Sequence, residues 1–227
     1  MGIQLTEIKH NLQLIEQQIT AAKERAHAQQ EVHIVAVTKE VDVARTQEAI
    51  DAGLVHLGEN RPEGLQNKRA HIESNAQWHY IGSLQTRKVK QVIHEIDYLH
   101  SLDRLSLAEE IEKRADKTVK CFVQANVSGE QSKHGLMTEE VIPFIESLAA
   151  FTKIEVVGLM TMAPNTDDTD VIRTVFKNLK QLQQQVAALQ LPYAPCTQLS
   201  MGMSNDFEIA VEEGATFVRI GTALVGM

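Results

Sequence analysis

Short apolar segments with strand character alternate along the whole chain with amphipathic segments of helical character, and this alternation strongly constrains the fold. The apolar segments are rich in β-branched and aromatic residues, as in buried parallel strands. Eight strands are predicted, at residues 33–39, 55–58, 78–82, 98–100, 119–125, 155–159, 198–200 and 217–219. Strict alternation implies parallel strands joined by right-handed crossovers, and eight such units close into a (β/α)8 TIM barrel of the α/β class.

A doubly wound open sheet is the competing architecture. It would carry a glycine-rich GxGxxG turn after its first strand. The chain has no such turn there, and its glycines instead follow the late strands, which favours the barrel. A length of 227 residues also suits a single small barrel. We therefore predict one domain over residues 1–227.

Two helices are predicted from apolar stripes. An extra helix over residues 3–28 precedes the first strand, so it should cover one end of the barrel or join its outer ring. Its stripe consists of Leu5, Ile8, Leu12, Ile15 and Ile19. The long helix predicted over residues 170–189 should pack on the barrel through a stripe of its own. That stripe consists of Val171, Val175, Leu179, Leu182, Val186 and Leu189.

Composition and charge exclude several classes of function. The chain has 22 Lys and Arg residues against 30 Asp and Glu residues, and it lacks a long basic block, so nucleic acid is an unsuitable partner. The N-terminal segment is charged throughout, unlike a signal peptide or a membrane helix. Cys121 and Cys196 lie far apart and outside any CxxC motif, so we expect buried thiols and no metal site. These features predict a cytoplasmic protein without membrane contact.

The first predicted strand ends in a lysine, Lys39, which the barrel would place at its mouth. On residue type alone, the usual role of such a lysine is to extend its amine to solvent or to pair with a carboxylate. The alternative is an amine whose surroundings disfavour its charged form, so that the neutral fraction forms a Schiff base with a carbonyl compound. The strand by itself leaves both interpretations open.

Two loops near the end of the chain have the features of a phosphate site. Residues 200–206 follow the seventh strand, and residues 220–222 follow the eighth. Barrel enzymes frequently bind phosphate between these two loops, at the N–H groups of a helix N-terminus. The alternative is that Ser204 and Thr222 merely cap short helices. A phosphorylated aldehyde would span the mouth from this cradle to Lys39.

Arg219 ends the eighth strand beside the same loops. It is placed to face the ring of a ligand bound between them. The alternative role is a structural ion pair, which is common for arginine at strand ends.

Seven short motifs lie in the region from residue 32 to residue 226. They are VAVTK at 35–39, GEN at 58–60, WHYIG at 78–82, SKHG at 132–135, GLMTM at 158–162, SMGMS at 200–204 and VRIGT at 218–222. In type and order they resemble the motifs of the pyridoxal phosphate homeostasis protein family. This family consists of small single-domain proteins similar to the N-terminal barrel of alanine racemase. The resemblance implies pyridoxal 5′-phosphate (PLP) as the cofactor.

The resemblance also implies roles for the residues at matching positions. Lys39 matches the lysine that holds PLP covalently as a Schiff base. Ser204, with the backbone N–H groups of Gly221 and Thr222, matches the phosphate cradle. Arg219 matches the arginine that faces the pyridine nitrogen.

Further positions follow from the same resemblance. Asn60 lies where the family approaches the cofactor, and the residues from Met160 to Met162 line the pocket near the ring. Lys133 matches a family lysine near the site, and a role in handing the cofactor on is a hypothesis. Thr38 departs from the family, in which many members carry serine before the lysine. Because threonine keeps the hydroxyl, we expect little change.

The function implied by the resemblance is intracellular PLP homeostasis without robust catalytic activity. An arginine at the pyridine nitrogen keeps that atom unprotonated and weakens the ring as an electron sink. Alanine racemase adds a tyrosine base from a second domain, and we expect neither here, since the sequence ends at Met227 just after the eighth strand. We therefore expect a monomeric carrier or buffer that holds PLP reversibly and supplies it to PLP-dependent apo-enzymes.

Two other functions stay open at the level of sequence. One is a weak amino-acid racemase of the alanine racemase type, for which Tyr80 is the tyrosine that its strand places near the mouth. Nothing in the sequence orients Tyr80 as a base. The other is an unrelated barrel enzyme, such as an aldolase acting on a phosphorylated sugar with Lys39 as its Schiff-base lysine.

Overall fold

A computed structural model of the protein covers residues 2–129 and 134–226. This part of the chain contains nine strands, and every pairing between them is parallel. The strands are β1 His33–Val37, β2 His56–Glu59, β3 Gln77–Tyr80, β4 Tyr98–Leu102, β5 Val119–Asn126, β6 Leu136–Met137, β7 Ile154–Met160, β8 Gln198–Met203 and β9 Phe217–Ile220. Eight of them correspond to the predicted strands. The ninth, β6, has two residues and pairs with the end of β5.

The strands close into a barrel. Neighbouring strands follow the order β4-β3-β2-β1-β9-β8-β7-β5, and a pairing between β4 and β5 completes the circle. In that closing pair Leu99 lies opposite Cys121. The predicted (β/α)8 TIM barrel is therefore confirmed, and a doubly wound open sheet, which has two free edges, is excluded.

Helices surround the barrel. They are α1 Gly2–Ala26, α2 Val43–Asp51, α3 Pro62–His71, α4 Val89–Val92, α5 Leu105–Arg114, α6 Thr138–Ser147, α7 Thr169–Ala188, α8 Phe207–Glu212 and α9 Thr222–Val225. The predicted N-terminal helix is confirmed: α1 packs against α2, α8 and α9 and so joins the outer ring where the barrel's last unit meets its first. None of the described helices is long and apolar enough to cross a membrane.

Successive residues of each strand point alternately outward to the helices and inward to the barrel. In β1, Ile34 and Ala36 pack in the large apolar core that includes the helices, whereas Val35 belongs to a second cluster. This second cluster consists of Val35, Tyr98, Phe122, Val157, Met160 and Phe217. Its aromatic rings are in contact, with the Phe122 and Phe217 centroids 5.5 Å apart. The barrel interior is therefore a packed core and not a channel.

Three local predictions are wrong. First, β1 ends at Val37, so Thr38 and Lys39 follow the strand. Second, the alternation of strands and helices predicts a helix over residues 86–95, between the third and fourth strands, but the structure has there a 3₁₀ turn, Thr86–Lys88, followed by the single turn of α4.

The third prediction, the stripe of α7, is wrong at its two ends, since Val171 is 42% and Leu189 40% exposed. Its other four residues are buried as predicted, and Ile172 and Phe176 belong to the same buried stripe. Val171 precedes Ile172 by one residue, a rotation of about 100° around the helix axis, and Leu189 lies beyond the last helical residue.

Candidate functional site

Lys39 lies just beyond the carboxyl end of β1, at the mouth of the barrel. The N–H group of the preceding Thr38 donates to the carbonyl of Gly58 in β2 at 3.0 Å, and α2 begins at Val43 after the N-cap residue Asp42. The Lys39 side chain is exposed, as the solvent-extending interpretation expects. Among the described residues its amine has no hydrogen-bond or ion-pair partner. The barrel therefore presents an accessible, uncommitted primary amine at its mouth.

A buried ion pair holds the residue next to Lys39. Lys68 Nζ, from α3, lies 2.5 Å from Glu59 Oε1 at the end of β2 and 2.5 Å from the Thr38 carbonyl oxygen. The side chains of Lys68 and Glu59 are 4% and 1% exposed. The Thr38 hydroxyl donates to the same Glu59 oxygen at 2.6 Å. Both the carbonyl and the side chain of Thr38 are thus tied to neighbouring elements, which fixes the backbone from which Lys39 projects.

Lys68 is not among the residues predicted from the sequence, although its helix carries a signal for it. Leu65, Lys68 and Ile72 follow each other at spacings of three and four, and all three are buried. Lys68 therefore occupies the apolar stripe of its helix, where a charge requires a partner. Glu59, on the strand that precedes this helix, supplies it.

The two late loops lie beside Lys39. Strand β9 pairs with β1 on one side and with β8 on the other, so the residues that follow these three strands are neighbours at the mouth. Ser204 follows β8 directly, and Gly221 and Thr222 follow β9. Asp206 and Gly221 occupy the N-cap positions of α8 and α9, and neither makes a side-chain capping bond. The capping interpretation of Ser204 and Thr222 is therefore wrong.

Arg219 is buried, with its guanidinium group near the carboxyl ends of the strands. Its Nη1 donates to Ser200 Oγ at 2.5 Å, and its Nη2 donates to the Thr161 carbonyl at 3.0 Å. No carboxylate of the described residues lies within ion-pair distance, so the ion-pair interpretation is wrong. Burial lowers the pKa of Arg219 to about 10, an effect that the charge of Asp206 opposes, and the group remains a cation at neutral pH.

Three buried histidines continue from Ser200 through the barrel interior. Ser200 Oγ lies 2.8 Å from His100 Nδ1, His100 Nε2 lies 2.8 Å from His79 Nδ1, and His79 Nε2 lies 2.9 Å from His56 Nδ1. Because β4 and β8 are not neighbouring strands, the bond between His100 and Ser200 crosses the barrel. We call Arg219, Ser200, His100, His79 and His56 the histidine column.

The histidines of the column are neutral at neutral pH. Burial is the main cause that lowers the pKa values of His79 and His100 well below the ordinary value. For His100 the next cause is the charge of Arg219. The column is not among the features predicted from the sequence, although its histidines lie in three consecutive strands.

The remaining residues predicted to contact the cofactor differ in how deeply they are buried. Asn60 is half-buried, and its carbonyl oxygen would lie 2.5 Å from a Cβ atom at Gly82, so the backbone of Asn60 lies against that glycine. Met160 is buried in the interior cluster, whereas Met162, two residues beyond β7, is exposed. Lys133 lies outside the described residues.

Tyr80 is not placed as a base. Its side chain is buried in the core between strands and helices. Burial, followed by the charges of Glu63 and Glu59, raises the pKa of Tyr80 to about 12. The hydroxyl therefore stays protonated at neutral pH.

Two cavities lie at opposite ends of the barrel. One, of about 520 Å³, opens between the loops after β7 and β8 and is lined by Asn165, Met203 and Ser204 among others. The other, of about 390 Å³, lies between α1 and the amino ends of β1 and β2, and His33 and His56 line it. The histidine column therefore runs from a cavity at one end of the barrel to Arg219 near the other.

Comparison with known proteins connects this arrangement to a family. The alanine racemase N-terminal domain family matches residues 3–227. The pyridoxal phosphate homeostasis protein of Aquifex aeolicus is 39% identical over 198 residues, covering 85% of this chain and 86% of that protein. The chain belongs to the pyridoxal phosphate homeostasis protein family. The resemblance predicted from the seven motifs is thus confirmed.

Two further similar proteins align with almost the whole chain. The pyridoxal phosphate homeostasis protein of Vibrio cholerae is 33% identical over 231 residues, covering 98% of this chain and 97% of that protein. A solved structure of PipY from Synechococcus elongatus PCC7942, with PLP bound, is 29% identical, with a TM-score of 0.82. The alignment covers 97% of this chain and 100% of PipY.

Replacing Lys68 by methionine should strongly destabilise the protein. The variant Lys68→Met leaves the Glu59 carboxylate buried without its cation, which costs about 3–5 kcal/mol of unfolding free energy. Urea denaturation measures this loss. The double variant Lys68→Met/Glu59→Gln should recover part of it, because the unpaired charge is removed. A loss below about 1 kcal/mol in the single variant, the range of an exposed pair, would contradict the buried ion pair.

Acidification should destabilise the protein through the column. An unfolded histidine takes up a proton near pH 6.5, whereas burial lowers the pKa of folded His56 to about 4. His33 and Lys120 lower this pKa further, and Asp97 acts in the opposite direction. Since the unfolded state binds more protons in this window, the free energy of unfolding should fall as the pH drops from 6.5 to 4, by up to about 1.4 kcal/mol per pH unit for each buried histidine.

Urea denaturation across this pH window measures the effect. The variant His56→Gln keeps a polar side chain but cannot titrate. Its free energy of unfolding should therefore fall less steeply with decreasing pH, by the contribution of one buried histidine. Equal slopes in the two proteins would show that His56 does not remain neutral in the folded state.

Proposed function

We propose that the protein binds PLP reversibly on Lys39 and serves PLP homeostasis as a carrier or buffer. The observation that carries the proposal is the exposed amine of Lys39, which has no partner among the described residues and lies beside the two late loops at one barrel mouth. The family supports it as well, because the homologous PipY has been solved with PLP bound.

The donor groups of the mouth fit PLP. The hydroxyl of Ser204 and the N–H groups of Gly221 and Thr222 suit a phosphate, and Thr222, as the first residue of α9, has no intrahelical acceptor for its N–H. Arg219 offers N–H donors to an unprotonated ring nitrogen. Asn60 and the methionines Met160 and Met162 complete the proposed site, and Lys133 is a possible secondary amine.

The covalent step needs one reactive group from the chain. When bound, PLP supplies an aldehyde that condenses with a primary amine: a carbon–nitrogen double bond forms, and the aldehyde oxygen leaves as water. Lys39 provides the amine. The ion pair of Lys68 and Glu59 fixes the Lys39 backbone through Thr38, so that the amine starts from a defined position.

A carrier is better supported than a racemase. Arg219 is a cation at neutral pH and donates hydrogen bonds, and such a group at the ring nitrogen weakens carbanion chemistry. Tyr80, with its pKa raised to about 12, is not a base at neutral pH. The exposure of Lys39 suits reversal of the bond by water or by another amine. We propose that a cytoplasmic monomer passes PLP to PLP-dependent apo-enzymes in this way.

The variant Lys39→Ala should abolish covalent PLP binding. The wild-type protein incubated with PLP should gain a visible absorption band, and borohydride reduction should leave the mass of one PLP group on the peptide that contains Lys39. Lys39→Ala should lose both the band and the mass. Lys153→Ala, at an amine near the opposite barrel end, is the matched control and should keep both.

Two results would overturn parts of the proposal. A reducible adduct that persists in Lys39→Ala would assign the bond to Lys133 or another amine. Rapid exchange of the Cα hydrogen of alanine by the wild-type protein, lost in Lys39→Ala, would favour the racemase over the carrier.

Ser204→Ala should weaken PLP retention without unfolding the protein. It removes one donor to the phosphate among several, so we expect a dissociation constant raised by roughly tenfold. Equilibrium dialysis with spectroscopic detection measures this constant. Ser147→Ala, at the end of α6 on the other side of the barrel, should leave it unchanged. An unchanged constant in Ser204→Ala would remove Ser204 from the proposed cradle.

A further inference from the structure

We propose that the buried histidines His100, His79 and His56 form a positioning element for Arg219, acting through Ser200. They hold Ser200 as an acceptor for the guanidinium group and so fix the direction in which Arg219 donates. This inference rests on the proposed function, because it takes Arg219 as the residue that faces the ring of bound PLP.

The chemistry of Arg219 determines which group donates in each hydrogen bond of the column. A guanidinium group only donates, so Ser200 Oγ accepts from Arg219 Nη1 at 2.5 Å. The serine proton is then available for His100 Nδ1, which lies 2.8 Å away and must accept. A neutral imidazole that accepts at Nδ1 carries its proton on Nε2. His100 Nε2 therefore donates to His79 Nδ1, and by the same reasoning His79 Nε2 donates to His56 Nδ1.

If every histidine hydrogen bond of the column were reversed, the buried hydroxyl proton of Ser200 would be left without an acceptor. If His56 donated to His79, and His79 to His100, then His100 Nδ1 would donate to Ser200 Oγ. Ser200 would receive two hydrogen bonds, and among the described residues its own proton would have no acceptor, although the side chain is completely buried. An unmade bond at such a position is costly. The arrangement that gives the Ser200 proton an acceptor has the Nε2–H tautomer in all three histidines.

The column is suited to a positioning role because it is neutral and closely packed. Among the described residues, the other hydrogen-bond acceptor of Arg219 is the Thr161 carbonyl, and this contact alone would leave the guanidinium group free to rotate. Ser200 provides the second contact, and His100 fixes the orientation of its hydroxyl across the barrel. The imidazole of His79 stacks on the ring of Tyr98 with a centroid distance of 4.3 Å, which holds the middle of the column in place.

The test compares two substitutions at His100. One keeps the hydrogen bond to Ser200, and the other keeps the hydrogen bond to His79. In His100→Asn, the amide oxygen lies near the former Nδ1 position and accepts from Ser200. In His100→Gln, the amide nitrogen lies near the former Nε2 position and donates to His79, while Ser200 loses its acceptor. Both variants remove the imidazole and so perturb packing, and urea denaturation of both determines how far each is destabilised.

The first readout is PLP binding by the folded variants. We expect His100→Gln to raise the PLP dissociation constant about tenfold and to shift the visible absorption band, since Arg219 loses its fixed partner, and His100→Asn to stay within about twofold of the wild-type value. Ser200→Ala should behave like His100→Gln. Equal weakening in His100→Asn and His100→Gln would overturn the positioning role and leave the column as packing alone.

The second readout does not depend on PLP. Nuclear magnetic resonance of the cofactor-free protein with ¹⁵N-labelled histidine distinguishes the two tautomers, and we expect Nε2–H in His56, His79 and His100. The Nδ1–H tautomer in His100 would overturn the inference even if PLP binds as proposed. A wild-type protein that shows the expected tautomers but does not bind PLP would overturn the proposed function, and with it the part of this inference that concerns the cofactor.

Discussion

Closure of the barrel by the pairing of β4 with β5 is the constraint on which the rest of the structure depends. All eight barrel strands are parallel, so closure brings the carboxyl ends of all of them to one mouth. Residues that follow β1, β8 and β9 become neighbours there, although about 180 residues separate the first from the last along the chain. Lys39, Ser204 and Thr222 share a mouth for this reason and not because of local sequence.

Closure also creates two buried regions, the barrel interior and the layer between strands and helices, in which polar groups must be satisfied by one another. Two sets of groups meet this requirement in different ways. Lys68, Glu59 and Thr38 combine opposite charges with hydrogen bonds, and they hold the chain beside Lys39. The histidine column places a single cation, Arg219, at one end of a series of neutral partners. Since a buried polar group without a partner is costly, each set is expected to have one defined arrangement.

Much of the fold could be predicted from the sequence, because alternation of strands and helices depends on local patterns of apolar residues. The eight barrel strands, the extra helix α1 and the position of Lys39 at the mouth all follow from such patterns. The buried position of Lys68 follows from the apolar stripe of α3, whereas the histidine column could not be predicted in this way. The His100–Ser200 bond joins residues 100 positions apart on strands that do not pair, so no local pattern records it. The two-residue strand β6 is too short for a periodic signal.

The central claim is that Lys39 holds PLP covalently, with its phosphate at the late loops and its ring nitrogen at Arg219. A crystal structure of the protein grown with PLP tests all three contacts together. The account predicts continuous density between Lys39 Nζ and the former aldehyde carbon, with the phosphate against Ser204, Gly221 and Thr222 and the ring nitrogen within hydrogen-bond distance of Arg219. Density for PLP on another amine, or a ring nitrogen turned away from Arg219, would contradict it.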